Sequence, residues 1–150
     1  MTAKEYLEQI EVLDIKIRQK EEQLACLRET AGGAAAIRYD KDHVQVSADD
    51  IMAKNVIKLI DLEDKILEDK IRLASLRDQI IDQIQALDDK RYIEILNYRY
   101  VRCMRFYEIA ERVSYDYDYV RVLHGEALGF FETKYSDFLQ SHTITQNKGL

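Results

Sequence analysis

Residues 51–87 place an apolar side chain every three or four positions, with no proline and no glycine to interrupt them. A run of about 40 residues predicts a helix ~60 Å long at 1.5 Å of rise per residue, well beyond ordinary globular length. Such a rod cannot bury its own face and must find partner helices. Leu59, Leu62, Ile66, Leu73, Leu76, Ile80 and Leu87 share one heptad register, interrupted by Asp69 and Gln83. Ile60, Leu67, Ala74 and Ile81 widen the stripe beyond a two-stranded seam, so more than one partner is implied.

A first partner precedes it. Thr2 and Glu5 form the T-x-x-E pattern of a capping box, in which each side chain bonds the other's backbone N–H. Behind it Tyr6, Ile10, Leu13, Ile17, Leu24 and Leu27 step by three and four, with Lys20 in the missing position. Gly32 and Gly33 stop that helix, a loop of about residues 30–47 follows, and Ser47, Asp49 and Asp50 open the rod. The expectation is a long antiparallel helical hairpin, coiled-coil-like, over residues 1–87. It either recruits a second chain, which the wide stripe favours, or docks on its own C-terminal half.

Residues 105–128, RFYEIAERVSYDYDYVRVLHGEAL, predict two short amphipathic helices and a tight turn, the form of a helix-turn-helix. Phe106, Ile109, Ala110 and Val113 lie on one stripe; Val120, Leu123 and Ala127 lie on the next. Only Ser114 and Tyr115 stand between the first stripe and Asp116, which is expected to cap the second helix, with Asp118 in its first turn. Upstream, Asp88 and Asp89 close the rod and open a further helix carrying Ile93, Leu96 and Tyr100. Downstream, GFFETKYSDFL is expected to prolong the last helix, and residues 141–150 to form a flexible tail. The helix-turn-helix domain is accordingly placed at 88–140, and the whole chain is expected to be all-α.

Residues 92–128, through the segments ILNYRY, YEIAERV and LHGEAL, resemble the DNA-binding region four of bacterial sigma factors. The longer chain, from MTAKEYLEQI through HVQVS to the rod, is similar to the sigma-like late transcriptional regulators of phages and prophages, of the ArpU and RinA type. The resemblance implies a helix-turn-helix that contacts double-stranded DNA and a helical N-terminal half serving another purpose. Three positions depart from the family pattern. Ser114 and Cys103 stand where glycine is usual, and Arg105 replaces a Ser or Thr cap. A serine enters the left-handed region less readily than glycine, so another kind of turn is expected at Ser114. The family's recognition helix is rich in cations, whereas here the outward arc is Tyr117, Asp118, Arg121, Val122 and Gly125.

These residues carry the expected chemistry. Arg121 suits a guanine edge, Asp118 a cytosine amino group, Val122 a thymine methyl and Tyr117 a phosphate. Arg99, Arg102 and Arg105 are expected to grip the phosphate backbone, with Arg91 a further member. Charge argues the other way. The net charge is −6, all of it within residues 1–90, while residues 91–150 hold eight cations against eight acids. Phosphate neutralisation supplies most non-specific affinity, so a lone copy is ill equipped and a homodimer is favoured. The rival reading is an adaptor that has kept the fold and lost DNA affinity, binding RNA polymerase or another helical partner. Tyr98, Tyr100, Tyr107, Tyr115, Tyr117 and Tyr119 suit such a face, base stacking or plain packing.

Other chemistries find no footing. His43, His124 and His142 do not cluster with cysteines or acids at metal-ligand spacing, and Cys26 and Cys103 are expected as reduced, partly buried thiols. Paired carboxylates along the rod are explained by a charged coiled-coil face. No catalytic residue, metal or cofactor is expected, so the chain is read as a non-enzyme. No apolar stretch approaches the ~20 residues of a membrane span, which together with the family resemblance predicts a protein of the bacterial host cytoplasm.

Overall fold

A computed structural model describes residues 1–32 and 48–147. Every secondary-structure element among them is helical. The order is α1 (Ala3–Gly32), α2 (Ala48–Gln85), α3 (Lys90–Leu96), a π-helical turn (Asn97–Val101), α4 (Phe106–Val113), α5 (Tyr117–Lys134) and α6 (Ser136–Asn147). The expected loop starts later than its spacing suggested, residues 30–32 still being helical in α1; the rest of it and the Ser47 cap lie outside the described residues, although α2 does carry Asp49 and Asp50 in its first turn.

The chain divides into two compact units, one of Met1–Val12 with Ala74–Leu150 and one of Leu13–Leu73. Neither boundary falls at 87/88, where the heptad pattern ends. The first turns of α1 and the last turns of α2 bury their apolar residues together with the C-terminal helices, so heptad continuity does not mark the division.

In the Leu13–Leu73 unit, α1 and α2 pair in opposite senses. Leu24, Leu62 and Ile66 form a buried cluster, flanked by Leu27 and Leu59. The two polar interruptions meet each other: Lys20 of one seam forms an ion pair with Asp69 of the other, which is buried. Arg28–Glu63 at 2.7 Å and Lys70–Glu21 at 2.8 Å flank the seam on exposed positions, where such pairs contribute little. Of the widened stripe, Ile60 and Leu67 are 51% and 59% exposed and Ala74 is exposed, while Ile81 is half-buried; Ile71, next to Leu67 on the same face, is 62% exposed.

The other unit opens with the capping box in full, Thr2 N–H donating to Glu5 Oε2 at 2.8 Å and Glu5 N–H to Thr2 Oγ1 at 3.2 Å. Tyr6 is buried and its hydroxyl donates to Gln83 Oε1 at 2.7 Å, so here too a polar interruption of the α2 seam meets a polar group of α1. The ring of Tyr6 packs against Phe131 and Phe138 at centroid distances of 6.2 and 5.3 Å. Burial pushes the Tyr6 phenol up to about 12, so it stays a donor.

Two expectations about the last helix are corrected. The segment after Leu128 does not continue as one helix. α5 ends at Lys134 and Tyr135 leaves helical geometry (φ −109°, ψ 25°), its hydroxyl donating to the Gln83 carbonyl at 2.8 Å. Phe131 before the break and Leu139 after it are both buried. The segment read as a tail from Ser141 is helical through Asn147.

Candidate nucleic-acid interface

The site is built on α3, the π-helical turn, α4 and α5. Asp89 caps α3 as expected, accepting from Arg91 N–H at 2.9 Å, and Arg91's guanidinium holds the Asp89 carboxyl below the usual carboxylate range. At the end of α3 the helix widens by one residue per turn: Arg102 N–H reaches back to the Asn97 carbonyl at 3.0 Å. The chain then reverses through Cys103, which is left-handed (φ 53°), and Met104 N–H closes on the Tyr98 carbonyl at 2.9 Å.

α4 begins without a cap from Arg105, whose guanidinium has no acceptor to offer. Glu108 supplies only the reciprocal half of a capping box, accepting from Arg105 N–H at 3.3 Å. α4 ends at Ser114, which is left-handed after all (φ 58°, ψ 39°), with Tyr115 N–H bonded to the Ala110 carbonyl at 3.1 Å. This 6→1 closure satisfies carbonyls at the helix end and demands positive φ at the cap. The expectation of another turn type is therefore corrected: serine accepts the strained geometry because the closure requires it. Cys103 and Ser114 are the positive-φ residues other than glycine among those described.

Ile109, Ala110, Val120, Leu123 and Ala127 are buried between α4 and α5 as their spacing predicts. Asp116 sits in extended backbone at the start of α5, yet its side chain makes no capping hydrogen bond, which corrects that expectation. His124 lies over the core. Its Nε2 is 2.7 Å from the Tyr100 hydroxyl and its ring meets Phe106 edge-on at 4.9 Å. Burial, with Arg99 and Lys4 as nearby positive charges, lowers its pKa to about 4, so it is neutral at pH 7.

The expected contact residues divide. Tyr117, Asp118, Arg121 and Val122 are all exposed on the first turns of α5, and the Arg121 guanidinium lies 5.8 Å from the Tyr117 ring centroid. Gly125, one turn on, faces open space. Arg102 and Arg105 are exposed as well. Arg99 points inward: it donates to the Met104 carbonyl at 3.3 Å and lies 5.1 Å over the Phe106 ring, so it braces the turn at Cys103. Arg91 is engaged too, paired with Asp89 at 2.9 Å and donating to the Tyr119 hydroxyl at 2.9 Å. Sequence reading passed over Arg112, in the last turn of α4, which is exposed and stands 5.4 Å from the Tyr98 ring. Among the described residues no carboxylate forms an ion pair with Arg102, Arg105, Arg112 or Arg121.

Cys26 and Cys103 are exposed, where partial burial was expected. Among the described residues no group of three or more His, Cys, Asp or Glu is placed to hold a metal, and no helix is long and apolar enough to cross a membrane. A pocket lined in part by Asp88, Asp89, Tyr92 and Phe130 lies beside α5. Asp89 there is held by Arg91, and the lining residue Lys134 by the Ala86 carbonyl. No family model matches the chain, and no curated protein or solved structure matches it either.

Proposed function

We propose that this chain is a phage- or prophage-type transcriptional regulator that binds duplex DNA through α4 and α5, a sigma-region-four-like helix-turn-helix that follows a helical hairpin. The observation that carries the reading is the outward arc of α5. Tyr117, Asp118, Arg121 and Val122 stand exposed on its first two turns, directly after a tight left-handed turn, as a helix entering the major groove requires. The two left-handed residues, Cys103 and Ser114, occupy the positions where the resembled family carries glycine, which supports the same reading. The bacterial host cytoplasm is the corresponding location.

A second copy completes the proposal. The uncovered stripe of Ile60, Leu67 and Ile71 is the surface through which the α1–α2 pair would dimerise, and two copies double the scarce positive charge. Two such heads address major grooves ~34 Å apart or a multiple of that distance.

The test is fluorescence anisotropy of the full chain on mixed-sequence duplexes across a salt series, with light scattering on the same samples. Binding that weakens with a log–log slope near −5, for about six neutralised phosphates, and a mass of two chains are expected. On a selected site, Arg121→Ala should cost ~1–3 kcal/mol if it reads a base. No binding at low salt overturns the reading and favours the competing one. That alternative is an adaptor for RNA polymerase or another helical protein, favoured by the exposed rings of Tyr107, Tyr117 and Tyr119.

A further inference from the structure

Two guanidinium groups share one ring in this bundle. Arg102, which follows the π-helical turn, has its guanidinium carbon 5.7 Å from the Tyr98 ring centroid, and Arg112 of α4 has its own at 5.4 Å. Arg102 stands one turn after Tyr98, and Arg112 comes from α4, beyond the reversal in which Met104 N–H closes on the Tyr98 carbonyl. Both are exposed, and neither forms an ion pair with a carboxylate among the described residues. Arg91, by contrast, is paired with Asp89, and Arg99 is bonded to a backbone carbonyl.

Both guanidiniums are oriented by the same ring, and neither is ion-paired with a carboxylate among the described residues. A cation–π contact at an exposed site is weak, enough to orient each guanidinium but not to neutralise it. Each fork keeps its donors for an oxyanion, the kind of group that arginine binds most strongly. In a helix-turn-helix on duplex DNA the repeated oxyanion is the backbone phosphate, which arginine contacts without reading sequence. Arg112 also lies one helical turn ahead of Asp116, where α5 starts, within the pair of helices that would address the groove.

We infer that Arg102, Tyr98 and Arg112 form a clamp on the backbone of duplex DNA, each guanidinium taking a phosphate and the ring orienting both, which positions α5. The inference rests on the DNA-binding reading above and adds Arg112 and Tyr98 to its contacts, while leaving Arg99 to the fold.

The experiment is a salt titration of mixed-duplex binding by anisotropy, using the full chain, Arg102→Gln, Arg112→Gln, Arg112→Lys and Tyr98→Leu, each checked for retained helicity by circular dichroism. Each Gln variant should lower the magnitude of the log–log slope by about 0.9 per bound protomer, one phosphate contact each, equally on all sequences. Arg112→Lys should keep the slope, because charge is retained, and bind more weakly, because the fork is lost. Tyr98→Leu should likewise keep the slope and weaken binding, since it orients both charges without bearing one. A wild-type chain that binds steeply with salt while both Gln variants keep its slope overturns the clamp and spares the DNA-binding reading. A wild-type chain with no low-salt binding overturns both.

Discussion

The paired helices of the Leu13–Leu73 unit and the small bundle carrying α4 and α5 solve the same problem differently. The pair is held by a repeating side-chain seam with regular backbone, and its exceptional position is a matter of charge, Asp69 buried against Lys20. The bundle places its exceptions in the backbone, at the π-helical turn, Cys103 and Ser114, and its inward guanidinium, Arg99, is bonded to a backbone carbonyl there. A seam can therefore be altered by changing side chains, whereas the bundle is sensitive to what each residue allows its own φ and ψ to be.

The contrast breaks most visibly at Lys20. Lys20→Met leaves Asp69 buried with only Arg72, at 3.7 Å, to answer it, and should lower stability by about 3 kcal/mol in chemical unfolding. Adding Asp69→Leu should restore the wild-type value or exceed it, because an apolar pair avoids the desolvation cost altogether. A single variant as stable as the wild type would mean that the charge pair is not what sets this part of the seam.

His124 offers an effect of middle size in the bundle. Its folded pKa is lowered, so below the unfolded value near 6.5 the unfolded chain takes up a proton that the folded chain refuses. Stability present above pH 6.5 should thus decline as pH falls towards about 4, by roughly 2 kcal/mol once partial solvent access is allowed for. Unfolding midpoints of wild type and His124→Gln measured from pH 7 to 4 would check this, and parallel curves would refute it.

The smallest change sharpens the backbone side of the comparison. Ser114→Gly should stabilise by about 1 kcal/mol, since glycine carries no Cβ penalty at φ 58°. A loss of stability in thermal unfolding would show that the serine compensates by a contact of its own.

What the sequence made legible follows from the reach of each signal. The α4 and α5 faces and the Thr2–Glu5 box are local patterns, and each stands where spacing puts it. Lys20 and Asp69 were visible separately as interruptions of two heptads, but their meeting depends on the register between helices far apart in the chain. Arg99 and Arg102 look alike in sequence; only the reversal at Cys103 turns one inward and leaves the other exposed. Arg112 gave no local sign at all, because the ring that orients it lies fourteen positions earlier, across that same reversal. Asp116 had the right residue type for a cap and the right backbone, yet its side chain goes unused there.

The burial of Tyr6 beside Phe131 and Phe138 bears on how the chain is made. One compact unit is assembled from the first twelve residues and from everything after position 73, with the other unit threaded between them. During synthesis the opening turns of α1 must wait for α5 and α6 to emerge before their core can close, while the intervening segment can fold earlier on nearer contacts. A fragment beginning at α3 would lack Tyr6, Leu7 and Ile10, and would leave the ring of Phe131 open to water.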